Sequence, residues 1–339
     1  MIGIRADAND KIASGHVMRC MSIASELEKQ NENVIFIVSE ECTKKIILNN
    51  GYKCICLNNS YNEKNSEILQ MEHIIKDYNI NKLMIDSYEV THEYMESLKK
   101  YTKIIYVDDI DKFKYPADII INYTYKTDLS VYKERGYENQ LFLLGSKYIP
   151  LRREFADLPI TINKKVKNIF ITTGGTDNLN MIMGILEELK YRDDITKIVV
   201  TGKFYKNVDA LKRMSSSDSS IEVYNNISNI CEIMKRCDVA ISAGGTTLAE
   251  LCACGVPTIC FSIADNQLYG TRAYSEDGLM IYAGDARTQR DLVIKNIINN
   301  LDLLTEDYSL RQTMSCKQKS IIDGKGSRRI AHEIIKLDK

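Results

Sequence analysis

The sequence predicts an α/β protein built as two doubly wound domains, and three observations carry that prediction. Short β-branched runs alternate with helical stretches from one end of the chain to the other. The runs are mainly apolar, as expected of parallel strands whose sheet is covered by helices on both faces. The 339 residues, 44% hydrophobic and 27% charged, divide into two such series of about 150 residues each, the usual size of one domain.

In the first half the strand candidates are Ile2–Arg5, Val34–Val38, Lys53–Leu57, Leu83–Asp86, Lys103–Val107 and Ile119–Asn122. Helical patterns at Val17–Gln30, Ser66–Tyr78 and Glu93–Tyr101 fall between them. In the second half the strands are Asn168–Thr172, Lys197–Thr201, Ile221–Tyr224, Val239–Ser242 and Thr258–Ile263, alternating with helices at Leu179–Tyr191, Ile227–Arg236 and Thr247–Cys254. The seam falls in LGSKYIPLRREFADLPITINKK, where Pro150 and Pro159 favour extended chain and end helices. This gives a first domain over 1–150, a linker over 151–165 and a second domain over 166–339. Two closing helices, Leu303–Lys317 and Gly326–Lys339, are counted with the second domain, although nothing in the sequence fixes whether they return to the first.

Charge excludes several function classes. Against 45 Lys and Arg stand 46 Asp and Glu, a formal net charge of −1. Without a basic field, coating of nucleic acid or docking on an anionic membrane is not expected. MIGIRADAND has neither a basic n-region nor an apolar core, so it does not read as a signal peptide. No apolar run reaches the roughly 18 residues a membrane helix needs, and the expected location is cytoplasmic. The ten cysteines lack zinc-type spacing: Cys54 and Cys56 alternate in a strand run, Cys252 and Cys254 sit in ELCACGVP, and Cys231 to Cys237 is too wide. They are expected to be reduced and mostly buried. His73, His92 and His332 lie in polar helical text and receive no role. No metal site and no cofactor is expected.

In doubly wound sheets ligands bind where strand carboxyl ends open onto helix amino termini, and three such loops here are rich in small residues. The first follows Arg5-Ala6-Asp7 and runs through Gly15-His16-Val17-Met18-Arg19. His16 falls in the first turn of a helix, where the positive end of the dipole disfavours imidazolium and suits a neutral base. A capping or packing histidine is the plainer alternative. The second loop is Thr173-Gly174-Gly175-Thr176-Asp177, with Asn180 at the following helix. Paired glycines let backbone N–H groups approach an anion, yet the loop is neither a P-loop nor a dinucleotide fingerprint, and a turn without a ligand fits it equally. The third is Gly244-Gly245-Thr246-Thr247, with Glu250 one turn into the helix and Asn266-Gln267 after the next strand. A carboxylate there repels phosphate but suits the two hydroxyls of a ribose. Two anion-suited loops and a ribose-suited acid in one domain favour a nucleoside diphosphate.

With these residues assembled, the second half resembles the nucleotide-binding half of GT-B sugar-nucleotide enzymes, from Asn226-Ile227-Ser228 through KRCDVAISAGGTTLAELCACGVP to ADNQ. Over roughly residues 1–285 the chain resembles a narrower family, the UDP-sugar hydrolases of pseudaminic acid biosynthesis. The likeness rests on Arg5 and Asp7, the G-H-x-x-R run from Gly15 to Arg19, Asp86 with Tyr88, Asp108-Asp109, Asn122, the Gly145-to-Phe155 stretch, GGTD with Asn180, Glu250, and Asn266-Gln267. Two departures are Ala13, where the family has glycine, and Pro150, where an apolar residue is usual.

This resemblance implies a GT-B-like architecture, two Rossmann-type domains with a cleft between them. It also implies that His16 activates water. The substrate-binding set it implies is Arg5, Asp7, Gly15, Arg19, Tyr88, Gly174, Gly175, Thr176, Asn180, Ile227, Gly244, Gly245, Thr246, Thr247, Glu250, Asn266 and Gln267. Within it Glu250 serves the ribose, the Ile227 backbone the uracil edge, and Asn266 and Gln267 the hexose. The implied reaction is inverting, metal-independent hydrolysis of a UDP-linked 2,4-diacetamido-2,4,6-trideoxyhexose of altrose type. A glycosyltransferase using a UDP-sugar, or a hydrolase of another nucleotide-linked amino sugar, stands as the alternative. The partner expected is a small UDP-sugar, with no nucleic acid and no membrane, and the oligomeric state is left open.

Overall fold

The first two strands show why the runs are mainly apolar. In β1 (Ile2–Ala6), Ile2, Ile4 and Ala6 enter one core and Gly3 faces the other, where a Cβ would touch Ile80 and Leu83. In β2 (Val34–Val38), Val34, Phe36 and Val38 go to the first core, Ile35 and Ile37 to the second. Both faces are buried, so both alternating sets are mainly apolar, and the buried Arg5 of β1 needs charged partners of its own.

The computed structural model describes residues 1–9, 12, 14–108, 110, 112–203 and 205–337. Ala13 and Asp109 lie outside the described residues. The chain forms two units, Met1–Arg153 with Lys325–Lys339, and Glu154–Gly324. The passage at Arg153 and Glu154 falls inside the segment read as a linker.

In the first unit, β1 is followed by α1 (Gly15–Glu28), β2, α2 (Glu41–Asn49), β3 (Cys54–Cys56), α3 (Ile68–Asp77), β4 (Lys82–Asp86), α4 (His92–Lys99), β5 (Lys103–Val107), β6 (Ile119–Asn122), α5 (Ser130–Lys133) and β7 (Leu141–Leu144). Among the described residues seven strands form one sheet in the order β3-β2-β1-β4-β5-β6-β7, each pair parallel. The chain winds outward from β1 to β3 and then returns to β4 on the other side of β1. That reversal sets the switch point at β1 and β4, with Ala6 opposite Asp86.

The second unit runs β8 (Asn168–Thr172), α6 (Met181–Glu188), β9 (Thr196–Thr201), α7 (Val208–Ser217), β10 (Ile221–Asn225), α8 (Ile230–Met234), β11 (Val239–Ala243), α9 (Thr246–Cys254), β12 (Thr258–Ser262), α10 (Leu268–Glu276), β13 (Ile281–Asp285), α11 (Ala286–Glu306) and α12 (Tyr308–Ile321). Six described strands are ordered β10-β9-β8-β11-β12-β13, again all parallel. Its switch point is β8 and β11, with Thr172 opposite Ser242.

Three expectations change. The final helix, α13 (Gly326–Lys336), belongs to the first unit and not to the second, where the sequence reading had kept it. Its Ile330, Ala331 and Ile334 enter the core that holds Val17, Cys20 and Ala24 of α1. Ser327 Oγ donates to Leu151 O at 2.8 Å and Lys82 Nζ to Ile335 O at 3.1 Å. The helix expected over Leu303–Lys317 is two helices, because the Asp307 carboxylate accepts from Leu310 N at 2.8 Å and caps a new start. The helix expected over Ile227–Arg236 contracts to α8: Asn226 takes a left-handed conformation, φ +51°, and leaves Ile227 in the loop. No described helix is long and apolar enough to cross a membrane. None of the ten cysteines is paired in a disulfide; Cys20, Cys231, Cys237, Cys252, Cys254 and Cys260 are buried, whereas Cys42 and Cys316 are exposed.

Candidate active site

His16 sits on the first turn of α1, at the carboxyl edge of β1, and is buried. Its Nδ1 lies 2.6 Å from Oδ1 of Asp86, the last residue of β4. Burial alone raises a carboxyl, yet Arg19 and His16 together bring Asp86 down to about 2. An ionised carboxylate is acceptor-only, so Nδ1 must carry the proton. Nε2 then holds the lone pair, and it makes no hydrogen bond among the described residues. The Tyr88 ring stands edge-on to the imidazole, 4.7 Å between centroids at 78°. Arg19, one turn along α1, donates through Nε and Nη2 to the two oxygens of Asp86 and through Nη1 to the Tyr123 hydroxyl. Its Nη2 is also 2.9 Å from His16 Nδ1. With both nitrogens aimed at Asp86 Oδ1, that contact sets two donors side by side on one acceptor.

Arg5 and Asp7, expected to touch a ligand, do something else. Arg5 is fully buried. It forks onto Glu67 (Nε to Oε1 2.8 Å, Nη2 to Oε2 2.9 Å) and donates to Asp7 Oδ2 at 2.7 Å and to the Ser39 hydroxyl. Lys64 Nζ donates to Asp7 Oδ2 at 2.9 Å, Ser39 N to Asp7 Oδ1 at 2.7 Å, and Tyr94 OH to Glu67 Oε1 at 2.8 Å. Two cations and two carboxylates thus neutralise one another. Burial works against both acids, but Arg5 and then Lys64 hold Asp7 low, and Arg5 holds Glu67 low. The cluster braces the strand ends beneath the His16 loop, and Arg5 has no surface to offer a ligand. Asp108 is likewise buried, accepting from Tyr132 OH at 2.9 Å.

In the second unit the loops after β8, β11 and β12 leave neighbouring strands at one edge of the sheet. The two Gly-Gly-Thr loops are not equivalent. In the first, Gly174 N donates to Thr172 Oγ1 at 3.0 Å, and the Asp177 carboxylate takes Met181 N and Ile182 N at 2.8 and 2.9 Å. That carboxylate occupies the amino terminus of α6, so this helix offers little to an anion; Gly175 and Thr176 keep N–H groups with no partner among the described residues. In the second loop Gly244 N donates to Phe261 O at 2.9 Å. The N–H groups of Gly245, Thr246 and Thr247, at the open start of α9, have no described partner. Here the donors and the dipole both await an anion.

Glu250 is half-buried one turn inside α9. A Cβ on Gly244 would come within 2.7 Å of Gln267 Cβ, so this glycine lets the β12 loop close on the α9 loop. Gln267 Oε1 accepts from Ile263 N at 2.9 Å, while Asn266 is exposed. Asn180 is left-handed, φ +50°, and its carbonyl and that of Leu179 accept from Arg290 at 2.8 and 2.7 Å. Arg287 ties Asp265 to Asp285 and steadies the Asn266 loop. Ile227 lies in the loop between β10 and α8, and α8 packs on α9.

Residues 168–331 match the Glycosyltransferase family 28 C-terminal domain. Acinetobacter baumannii MurG superposes with a TM-score of 0.69 at 12% identity, covering 99% of each chain. A glycosyltransferase of kitacinnamycin gives 0.73 at 12% identity, covering 99% of this chain and 98% of that one. The fold is GT-B. Among sequence relatives, an uncharacterized protein of Methanocaldococcus jannaschii is 34% identical over 76% of this chain, which spans about half, 54%, of that relative. The spore coat polysaccharide biosynthesis protein SpsG of Bacillus subtilis is 24% identical over 97% of this chain and 96% of its own. The UDP-2,4-diacetamido-2,4,6-trideoxy-beta-L-altropyranose hydrolase of Campylobacter jejuni is 24% identical over 73% of this chain and 85% of its own.

Of the expected residues of this GT-B chain, the structure groups His16, Arg19 and Tyr88 in the first unit. In the second it sets Gly244 and Gln267 against each other at the head of the helix that carries Glu250. The sequence marks Asp86 without a role and leaves Tyr123, Glu67 and Lys64 unmarked. A signal existed for Asp86: an acid ending the strand that returns beside β1 faces the loop after β1 in any doubly wound sheet. Tyr123 and Glu67 reach their partners from 104 and 62 residues away and carry no local mark.

Proposed function

We propose that this protein hydrolyses a UDP-linked 2,4-diacetamido-2,4,6-trideoxyhexose of altrose type at the anomeric carbon, releasing UDP and the free sugar. The observation that carries the reading is the His16–Asp86 pair, which leaves Nε2 as an unoccupied base on a buried, oriented ring. His16 Nε2 takes a proton from water as the water oxygen bonds to C1. The bond from C1 to the diphosphate oxygen breaks, its electrons leave with UDP, and the configuration at C1 inverts. Asp86 stabilises the imidazolium that forms. The N–H groups of Gly245, Thr246 and Thr247 offset charge gathering on the diphosphate, and those of Gly175 and Thr176 add to them. Asn180 and Glu250 hold the nucleotide sugar, with Glu250 on the ribose, while the Ile227 backbone meets the uracil edge and Asn266 and Gln267 face the hexose. The hydrolase name of the Campylobacter jejuni relative supports the choice of sugar.

The test is NMR of the protein with this UDP-sugar, without acceptor or added metal, and again with EDTA. The expected result is UDP and free sugar, the first-formed anomer inverted, at a rate EDTA does not change. Substrate that binds and stays intact would overturn the reading in favour of a transferase lacking its acceptor. Loss with EDTA and recovery with Mg²⁺ or Mn²⁺ would overturn the metal-independent step.

A further inference from the structure

A buried imidazole 2.6 Å from a buried carboxylate poses a difficulty for base catalysis. Left to itself, such a pair gains most by drawing a second proton onto the ring, giving an imidazolium–carboxylate ion pair, and an imidazolium accepts no proton from water. Asp86 therefore needs another cation if His16 is to serve as a base. We propose that Arg19 is that cation: a positioning residue whose fork on Asp86 satisfies the carboxylate, so that His16 stays neutral with Nδ1–H turned to Asp86 and Nε2 open.

The geometry supports three parts of this assignment. Arg19 Nε and Nη2 engage both oxygens of Asp86, the bidentate arrangement that fixes direction as well as charge. Nη1 is tied to the Tyr123 hydroxyl, and the guanidinium carbon lies 5.5 Å from the Tyr123 ring centroid, so the cation is held from its far side too. Its Nη2, 2.9 Å from His16 Nδ1, places a fixed positive charge where it opposes a second proton on the ring. Among the described residues the other titratable groups facing the pair are Cys20, whose Sγ is 3.5 Å from Asp86 Oδ2, Tyr88 against the imidazole, and Tyr106 on β5. None of these is a cation at neutral pH, so among the described residues Arg19 is the cation that faces the pair. Arg19 thereby acts through Asp86 and His16 rather than on a ligand, which replaces the substrate contact expected from the sequence.

The inference rests on His16 as the base, but its test needs no turnover. Imidazole ¹⁵N resonances of the full chain, with His16 assigned through His16→Gln, report tautomer and charge as pH is varied. Wild type is expected to show a neutral Nδ1–H ring at pH 7. Arg19→Gln is expected to show more of the imidazolium signature than wild type at the same pH, whereas Arg19→Lys, which keeps the charge, stays nearer wild type. An Arg19→Gln spectrum equal to wild type, or an Arg19→Lys spectrum changed as far as that of Arg19→Gln, would overturn the proposal. An imidazolium at pH 7 in wild type would overturn it even if Arg19→Gln failed to fold. Absence of hydrolysis with the expected titration would remove the substrate assignment and leave the charge arrangement standing.

Discussion

The two units place their candidate groups at the same position, the switch point of a parallel sheet, and hold them by opposite means. At β1 and β4 the proposed working atom is a side-chain nitrogen, fixed by other side chains: His16 by Asp86, Asp86 by Arg19, Arg19 by Tyr123. At β8 and β11 the proposed working atoms are backbone N–H groups in glycine loops, with Arg290 holding the carbonyls of Leu179 and Asn180 behind the first of them. The first design is buried and charge-balanced; the second is open and built from what the backbone leaves unpaired. Chemistry on a proton needs one atom in one protonation state, which only neighbouring charges can fix. Holding a diphosphate needs several donors in an arc, which a helix start supplies without any ionisable side chain.

The largest expected effect follows from crossing the two regions. His16→Ala should lower turnover about 10²–10⁴-fold, the usual contribution of a positioned base, while UDP still binds as to wild type. Glu250→Ala should do the reverse, weakening UDP about tenfold, as for loss of one charge-assisted hydrogen bond, with kcat nearly unchanged. UDP release assays and calorimetry with UDP separate the two. If His16→Ala kept most of its turnover, the base assignment would fall; if Glu250→Ala left UDP affinity intact, the ribose contact would.

The same contrast explains what was legible in the sequence. Strand runs such as VIFIV and TICFSI announce themselves, because burial on both faces favours apolar residues at nearly every position. The glycine loops are equally visible, since their function lies in the backbone and needs no distant partner. The charge-held site was only half legible. His16 and Arg19 share a helix turn and stand together in the text, but Asp86, Tyr123 and the Arg5–Glu67 fork are joined only by the order of the strands. The edge strands β7 and β13 differ: LFLL is as apolar as the central strands and is short, whereas IYAGD ends in Gly284 and Asp285, which break the apolar run. α13 is visible as a helix, while its return to the first unit depends on a core it does not adjoin in sequence.

A smaller effect tests whether, of the two strand-to-helix loops that carry Gly15 and Gly174-Gly175, the second alone relies on close backbone approach. A Cβ on Gly202 would lie 2.7 Å from Gly175 Cα, and Gly202 N donates to Gly174 O at 3.0 Å. Gly202→Ala must therefore push the Gly174–Gly175 loop, with an expected loss of a few degrees in Tm, about the effect of 1–2 kcal/mol of overpacking, and a few-fold weaker UDP binding. Gly15, in the corresponding loop of the first unit, has nothing within 4 Å of an added Cβ. Gly15→Ala should leave Tm at or slightly above wild type, since alanine favours the helix start less by shape than by lower chain entropy. Equal losses in the two variants would mean that both loops depend on tight backbone contact, and the contrast would fail.

The smallest effect is a difference in acid stability. Burial alone would raise Asp86, Asp7 and Glu67, yet Arg19, Arg5 and Lys64 hold all three below their ordinary values, Asp86 at about 2. A carboxyl lowered on folding contributes stability above its unfolded value, near 3.9 for Asp and 4.3 for Glu, and loses that contribution as pH falls through the folded value. For the first unit the loss therefore runs from about pH 4 down to about pH 2. In the second unit the lowered acids, Asp218 and Asp285, are bound chiefly by Ser220 and by Arg287 at the surface, where water already solvates the charge, and their protonation costs little. Hydrogen exchange at pH 3 should accordingly show β1 and β4 amides losing protection before those of β8 and β11. Glu67→Gln should narrow the gap, because an amide still accepts from Arg5 but no longer titrates. Protection lost first in β8 and β11 would show that the buried charges of the first unit are not what limits it in acid.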